Sequence, residues 1–544
     1  MKKKIGIFLI VIVFAAILTG FTKDYYFKIN KAFDIFGAVF RELTSNYVLE
    51  IDPEILVKGA IKGMISTLDP YTEFYDMENK EDFDILTSGT YTGFGISISN
   101  IDSILTITHV RDGYSARENG LRIGDRIFSV DNDTLYYREY DSIRDILKGE
   151  AGTKSEFRIL RDGLADTLKF KLTREQILLD NISFYDVLDN NIAYIKLERF
   201  NKTAAQDFRF ALNDLKSKSK LSSLIIDLRN NPGGLLEPAV QICEMFLPTG
   251  SLIVSTRGRN DEELYTYTSS SNPIEPDLPL IVLINENSAS ASEIIAGALQ
   301  DYDRAVIIGK RSFGKGLVQS IMSLPYKGNL KITTAKYYIP SGRCIQRIKF
   351  GLQHQSESKV SDSPDSTVFF TKNGRKVFES TGINPDTSTS HEYLSAVVED
   401  LHSSLMFFRF ANYFTSKMIS LPENFKIDDK IFNEFLKFLD EKDYAYESES
   451  EKILKRIDEI SEQSKYSKSF EKSLISFKKS LKDEEKDLLT SNKKEISDLL
   501  EFEIKSRFLS EKELFKNLMA IDNDLVISKH VLLNNLYDEI LSSE

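Results

Sequence analysis

A serine and a lysine, with no histidine near either, are the residues of this chain best suited to covalent chemistry. Ser290 stands in Asn287–Ser292, a turn of small polar residues, between the apolar run Ile281–Ile284 and a stretch with helical spacing. A nucleophile exposed at a strand-to-helix elbow needs this setting. The strand holds the turn, small neighbours admit substrate, and the helix N-terminus favours developing negative charge. Lys315 follows 25 residues later between Gly314 and Gly316, and Gln319 lies four residues beyond it. A serine hydroxyl is a weak nucleophile until a base takes its proton. Lysine serves as that base only when neutral, and lowering its pKa by about three units costs about 4 kcal/mol, which burial can impose. Lys315 has no acidic neighbour in sequence to hold its charge, which suits a base and equally suits a phosphate-gripping lysine. Among Ser288, Ser290 and Ser292, Ser290 is central and flanked by alanines. The stretch reads as a Ser/Lys hydrolase site.

The elements that must position these residues alternate between strand and helix. Asn191–Phe200 reads as a strand, and the next helix places Ala204, Phe208, Ala211, Leu212 and Leu215 on one face. A buried strand then ends in DLRNNPGG (Asp227–Gly234), and another helix follows. This rhythm predicts an α/β domain over 176–389 with a largely parallel sheet, whose sites collect at strand C-termini, where both NNPGG and NSASAS fall. Asp227 and Arg229 read as residues holding the turn, and Asp301 and Tyr302 as packing or alignment. Gly351–Pro364 is polar and reads as a mobile loop, and Asn373-Gly374 turns a hairpin.

Three regions flank that core. Residues 23–87 carry helical spacing (Ile35, Val39, Leu43, then Ile55, Ala60, Ile61, Met64, Ile65), with Pro53 in a first turn, and predict a small packing collar. Residues 88–175 change to short strands: YTGFGISI (Tyr91–Ile98), Ser103–Val110, GLRIGDRI (Gly120–Ile127) and a hairpin at Asp162-Gly163. Their order resembles a PDZ domain in the circularly permuted form of bacterial proteases. That resemblance implies a groove that adds a peptide as an extra strand and grips its terminal carboxylate, with Gly93, Phe94, Gly95 and Ile96 supplying backbone N–H groups. Residues 390–544 read as a helical region that packs on the core or mediates assembly, through an adaptor or a second copy of the chain.

Composition excludes several other roles. The net charge is −12 with no basic stripe, which leaves nucleic-acid binding without support. Cys243 and Cys344 read as unpaired buried thiols, and the five histidines form no metal-spaced cluster, so neither metal nor cofactor is expected. Lys2, Lys3 and Lys4 precede an apolar run, Ile5–Phe21, which marks residues 1–22 as an export signal, either cleaved or retained as an anchor. The bulk of the chain is then expected outside the cytoplasm, in the periplasm or cell envelope.

Taken together, Ser290 in SASASE, Lys315 in FGKG, Gln319, DLRNNPGG, LDPYTEFY (Leu68–Tyr75), GINPD (Gly382–Asp386) and the PDZ-like segment resemble the carboxyl-terminal processing proteases, also called tail-specific proteases. The resemblance runs from about Phe33 to Asp386. It implies that Ser290 is the nucleophile, that Lys315 is the general base and that Gln319 orients the lysine amine. It also implies an oxyanion hole from the backbone N–H groups of Gly234 and Ala291. The expected architecture is a multidomain α/β protein: a ClpP/crotonase-like α/β protease core, an inserted PDZ-like β domain, a small N-terminal helical domain and a helical C-terminal region. The expected activity is that of a serine endopeptidase acting on proteins or peptides with a free C-terminus. One rival is a PDZ scaffold that binds C-termini without cutting, which an intact Ser/Lys/Gln set disfavours. The other is an acyl-CoA enzyme of the same core fold, which an exported chain disfavours.

Overall fold

The computed structural model describes residues 25–542 except 78, 136–139, 260–263, 348–366, 380–381, 390–394, 417, 465–466 and 487. The expected export signal and the whole of the polar loop Gly351–Pro364 lie outside the described residues. Two compact units are present. Of the described residues, the smaller contains 25–76 together with Gln319–Thr333, and the larger contains the others.

The smaller unit begins with a helix over 25–46, then α1 (Pro53–Ile65), whose N-cap Asp52 accepts the Glu54 N–H and whose first turn holds Pro53. Strand β1 (Glu73–Tyr75) pairs antiparallel with Asn329, Leu330 and Lys331. The helical spacing expected here is present. Phe33, Ile35, Val39, Leu43, Ile55 and Met64 are exposed, and α1 buries no residue.

In the larger unit, the PDZ-like sheet runs β2 (Ile96–Ile101), β3 (Ile104–Val110), β4 (Arg126–Val130), β5 (Lys154–Leu160) and β6 (Leu168–Thr173), in that spatial order and antiparallel throughout. Helix α2 (Tyr140–Leu147) packs Ile143, Ile146 and Leu147 onto its core with Ile107, Ile127 and Phe157. Because β2 pairs only with β3, one edge of β2 is open within the sheet.

The central sheet has the order β7 (Ile182–Val187), β8 (Ile192–Leu197), β9 (Ser223–Asp227), β10 (Leu280–Ile284), β11 (Ala305–Gly309) and β12 (Thr387–Ser388). Only the β7–β8 pair is antiparallel. Strands β8 to β11 are buried at every position, as a sheet covered on both faces requires. Side chains alternate between the faces. Ala193, Ile195, Leu224, Ile226, Val282 and Ile307 meet α3 (Ala204–Lys218), α4 (Leu236–Glu244) and α5 (Ala291–Asp301). Tyr194, Ile225, Ile281, Leu283, Val306 and Ile308 meet Leu525, Val531 and Leu541 from the C-terminal end. The second helical layer of the α/β core is therefore supplied from beyond residue 510, notably by α6 (Asn523–Leu533). A separate C-terminal core forms around Phe407, Phe410, Phe432, Phe435, Ile496 and Leu500. Cys243 and Cys344 are buried free thiols, as expected. Among the described residues, no helix is long and apolar enough to cross a membrane.

Candidate active site

The C-terminal ends of β9 and β10 carry the two turns on which the site is built. After β9 the chain runs through Asn230 to Gly234, and after β10 through Asn285 to Ser290, where α5 begins. Their side chains stitch them together. Asn231 Nδ2 donates to the Leu197 carbonyl at 2.7 Å, and its Oδ1 accepts the Gly233 N–H at 2.9 Å. The Ala289 N–H and the Ser292 hydroxyl both donate to the Asn231 carbonyl at 3.0 Å. Ser288 Oγ donates to the Leu228 carbonyl at 2.8 Å. Ser288 and Ser292 are thus occupied in holding the turns. Ser290 is half-buried between them and opens the capping box of α5.

Ser290 occupies φ 55°, ψ −113°, a conformation that costs a non-glycine residue of order 1–3 kcal/mol and persists only where the surroundings enforce it. Gly233 lies directly against it: a Cβ there would stand 2.9 Å from Ser290 Cβ and 2.6 Å from the Ala289 carbonyl oxygen. At Gly234 a Cβ would stand 2.3 Å from the Phe200 carbonyl oxygen. The glycine pair therefore lets the backbone pass close to Ser290 on one side and Phe200 on the other. Among the described residues, the N–H groups of Gly234 and Ala291 donate to no partner, whereas the Gly233 N–H is taken by Asn231. Two open donors flank the serine, the arrangement that an oxyanion hole needs.

Lys315 is half-buried on the loop 310–316. Its N–H donates to Glu293 Oε2 at 2.9 Å, and its carbonyl accepts the Tyr337 hydroxyl at 2.6 Å. Glu293 is fully buried in the first turn of α5. Its carboxylate also accepts the Ser290 N–H at 2.8 Å, the Gly314 N–H at 2.7 Å and the Ser312 hydroxyl at 2.5 Å. Burial pushes the Glu293 carboxyl up to about 7, against the pull of those four hydrogen bonds. Glu293 and Tyr337 are the residues that sequence reasoning missed. Ser290-Ala-Ser-Glu293 has capping-box spacing, so Glu293 had a signal, whereas Tyr337 had none. Gln319 belongs to the smaller unit, on the strand Leu317–Ser323, where its Nε2 donates to Thr333 Oγ1 at 3.1 Å.

Below the first turn lies a charge cluster. Asp227 accepts from Tyr194 Oη at 2.6 Å, Lys196 Nζ at 3.2 Å and Arg229 Nη2 at 2.6 Å. Arg229 also binds Asp522, which caps the N-terminus of α6, and Asp524 in its first turn. Burial works against ionising Asp227, but Lys196 and Arg229 outweigh it and hold the carboxyl far below its usual range. Asp227 and Arg229 hold the turn, as their positions suggested.

In the PDZ-like sheet, the Phe94 side chain is buried against Phe157, with ring centroids 4.8 Å apart. The Phe94 and Gly95 carbonyls accept from Ala116 and Arg111, while their N–H groups donate to no partner among the described residues. Gly93 ends a short strand paired with Glu175, and Ile96 begins β2. Among the described residues no cluster of three or more His, Cys, Asp or Glu side chains could hold a metal ion.

Comparison with known proteins gives this geometry its relatives. Residues 191–357 match the family model "Peptidase family S41", 92–172 match "PDZ domain", and 397–532 match "Probable PDZ-protease, C-terminal helical domain". Residues 22–79 match "Activating protease CtpB N-terminal domain". The chain is 36% identical over 349 residues to the carboxy-terminal-processing protease of Bartonella bacilliformis, covering 63% of this chain and 79% of that one. The chain belongs to the carboxy-terminal processing protease family. It is 28% identical to carboxy-terminal processing protease CtpA of Bacillus subtilis, over 66% of this chain and 79% of that protein. A solved photosystem II D1 C-terminal processing protease is 24% identical, with TM-score 0.36, over 66% of this chain and 93% of that one. As a member of this family the chain is a serine peptidase of multidomain α/β fold. Its PDZ domain serves to bind C-termini of protein or peptide substrates.

Proposed function

We propose that this carboxy-terminal processing protease cuts peptide bonds with a Ser290/Lys315 dyad. The observation that carries the reading is the strained Ser290 elbow flanked by the two unoccupied N–H donors of Gly234 and Ala291. Ser290 Oγ attacks the carbonyl carbon of the scissile bond and its proton passes to the neutral Lys315 amine. The Gly234 and Ala291 N–H groups hold the oxyanion, and losing one such donor costs ~10²–10³ in rate. Collapse expels the amine, which takes its proton from Lys315. Water, deprotonated in turn by Lys315, then hydrolyses the acyl ester. Family resemblance assigns Gln319 to orienting the lysine amine, a role that Gln319→Ala tests.

Substrate tails would dock by adding a strand to the open edge of β2, with the terminal carboxylate on the N–H groups of the Gly93–Ile96 loop. The free Phe94 and Gly95 donors support this. Export is the remaining part of the proposal, supported by Lys2–Lys4 ahead of the apolar run Ile5–Phe21. Fractionation of cells making the full chain would place it in the envelope, and recovery in the cytoplasm would refute export.

The test uses a peptide ending in an apolar residue with a free carboxylate, and the same peptide as its amide. Wild type should cut the acid in preference to the amide. Ser290→Ala should cut neither, and Lys315→Arg, which keeps charge but supplies no neutral amine, should lose at least ~10²-fold in kcat. Cleavage by Ser290→Ala would remove the nucleophile, and near-normal turnover by Lys315→Arg would remove the base.

A further inference from the structure

Ser290 and Lys315 are joined through their backbones twice. Both N–H groups end on the same oxygen, Glu293 Oε2, at 2.8 and 2.9 Å. Both carbonyls face the same hydroxyl, that of Tyr337, at 3.2 Å from Ser290 and 2.6 Å from Lys315. Glu293 and Tyr337 are each 1% exposed or less. Glu293 Oε1 is taken by Ser312 and Gly314, so the carboxylate is filled by donors on both oxygens. Glutamine in its place would aim an NH₂ group at hydrogen-bond donors, and aspartate would be one methylene short.

Building on the dyad reading, we infer that Glu293 and Tyr337 are positioning residues: a two-sided clamp fixing the nucleophile turn and the base loop in register. The physical need is clear on both sides. Ser290 holds an unfavourable backbone conformation that would relax if its N–H and carbonyl were released. Lys315 sits between two glycines, where the chain has little stiffness of its own. Their contacts here are to the backbone of Ser290 and Lys315, so both act through the geometry of the pair. A misplacement of about 1 Å at a reacting pair costs ~100-fold in rate.

The clamp is tested on the full chain with Tyr337→Phe and Glu293→Gln, beside Ser290→Ala and Lys315→Ala. kcat, KM, the pH profile of kcat/KM and the melting temperature are measured for each. Tyr337→Phe should lower kcat ~10- to 100-fold with KM within about twofold. The rising limb of its pH profile should move toward the ordinary lysine value of ~10.4, because a loosened Lys315 is rehydrated. Glu293→Gln should do the same to a larger extent. If both dyad variants are inactive while Tyr337→Phe keeps wild-type kcat and an unmoved limb, the clamp is overturned and the dyad stands. A fall in activity that tracks only the unfolded fraction, with the limb unmoved, likewise reduces Tyr337 to packing. If Ser290→Ala or Lys315→Ala still turns over, the dyad reading fails and the clamp with it.

Discussion

A carboxyl buried among N–H and O–H donors is a liability at neutral pH, and Glu293 is one. Its pKa rises from the model-peptide region to about 7 on folding, with burial the leading cause. The folded chain therefore holds a proton that the unfolded chain has released between about pH 4.5 and 7. Stability from this group is greatest at low pH and declines as pH climbs through 7, by roughly 3 kcal/mol in all. Wild type should accordingly lose more melting temperature between pH 5 and 8 than Glu293→Gln does; parallel slopes would show that Glu293 does not titrate in that range. Gly234 makes the other residue-scale prediction. With φ at 151° and the Phe200 carbonyl oxygen 2.3 Å from where a Cβ would sit, Gly234→Ala must push the turn away. Turnover should fall at least ~10²-fold, as for a lost oxyanion donor, with retained binding of a carboxylate-ended peptide. Wild-type turnover would separate this turn from the chemistry.

At the scale of elements, the site depends on strand ends held from beneath. Arg229 lies between Asp227 at the end of β9 and Asp522 and Asp524 at the start of α6, so a C-terminal helix is tied to the strand that carries the NNPGG turn. Removing one partner from a buried ion pair leaves the other charge unmatched, which costs about 3–5 kcal/mol. Asp227→Asn should lower the unfolding free energy by that amount, read as a lower urea midpoint with no change in m-value. Because the Asp227 carboxyl is held low, its contribution is present at neutral pH and is lost on acidification. The variant should thus lie closest to wild type in acid, and a gap that stays constant with pH would contradict this.

In the larger unit, the C-terminal end of the sequence covers one face of the central sheet. Leu525, Val531 and Leu541 cover Tyr194, Ile225, Ile281, Leu283, Val306 and Ile308. Each such apolar side chain buried contributes about 1.5–3 kcal/mol. Truncation after residue 509 would strip one face of a parallel sheet, which is viable only when covered on both. The truncated chain should be recovered as aggregate, and a soluble monomer with native circular dichroism would show that the layer is dispensable. The same C-terminal region reaches the PDZ sheet, where Arg409 grips Asp102 with both guanidinium nitrogens and His109 pairs with Glu511 at 2.9 Å.

Much was legible in the sequence because it is written locally. Strands β8, β9 and β10 showed as apolar-rich runs, α3 showed its buried face at Ala204, Phe208, Ala211, Leu212 and Leu215, and the turns showed as Asn-Asn-Pro-Gly-Gly and Asn-Ser-Ala-Ser-Ala-Ser. The family was legible because its motifs are short and combined. What only the tertiary structure decided involves residues far apart in the chain. Tyr337 reaches back 47 positions to Ser290, and Asp522 and Asp524 reach back 293 and 295 to Arg229, with no local pattern to announce it. Helical spacing likewise could not say that the C-terminal apolar stripe would seal the sheet. Periodicity fixes which side chains share a face, and only the packing of distant elements fixes what that face meets.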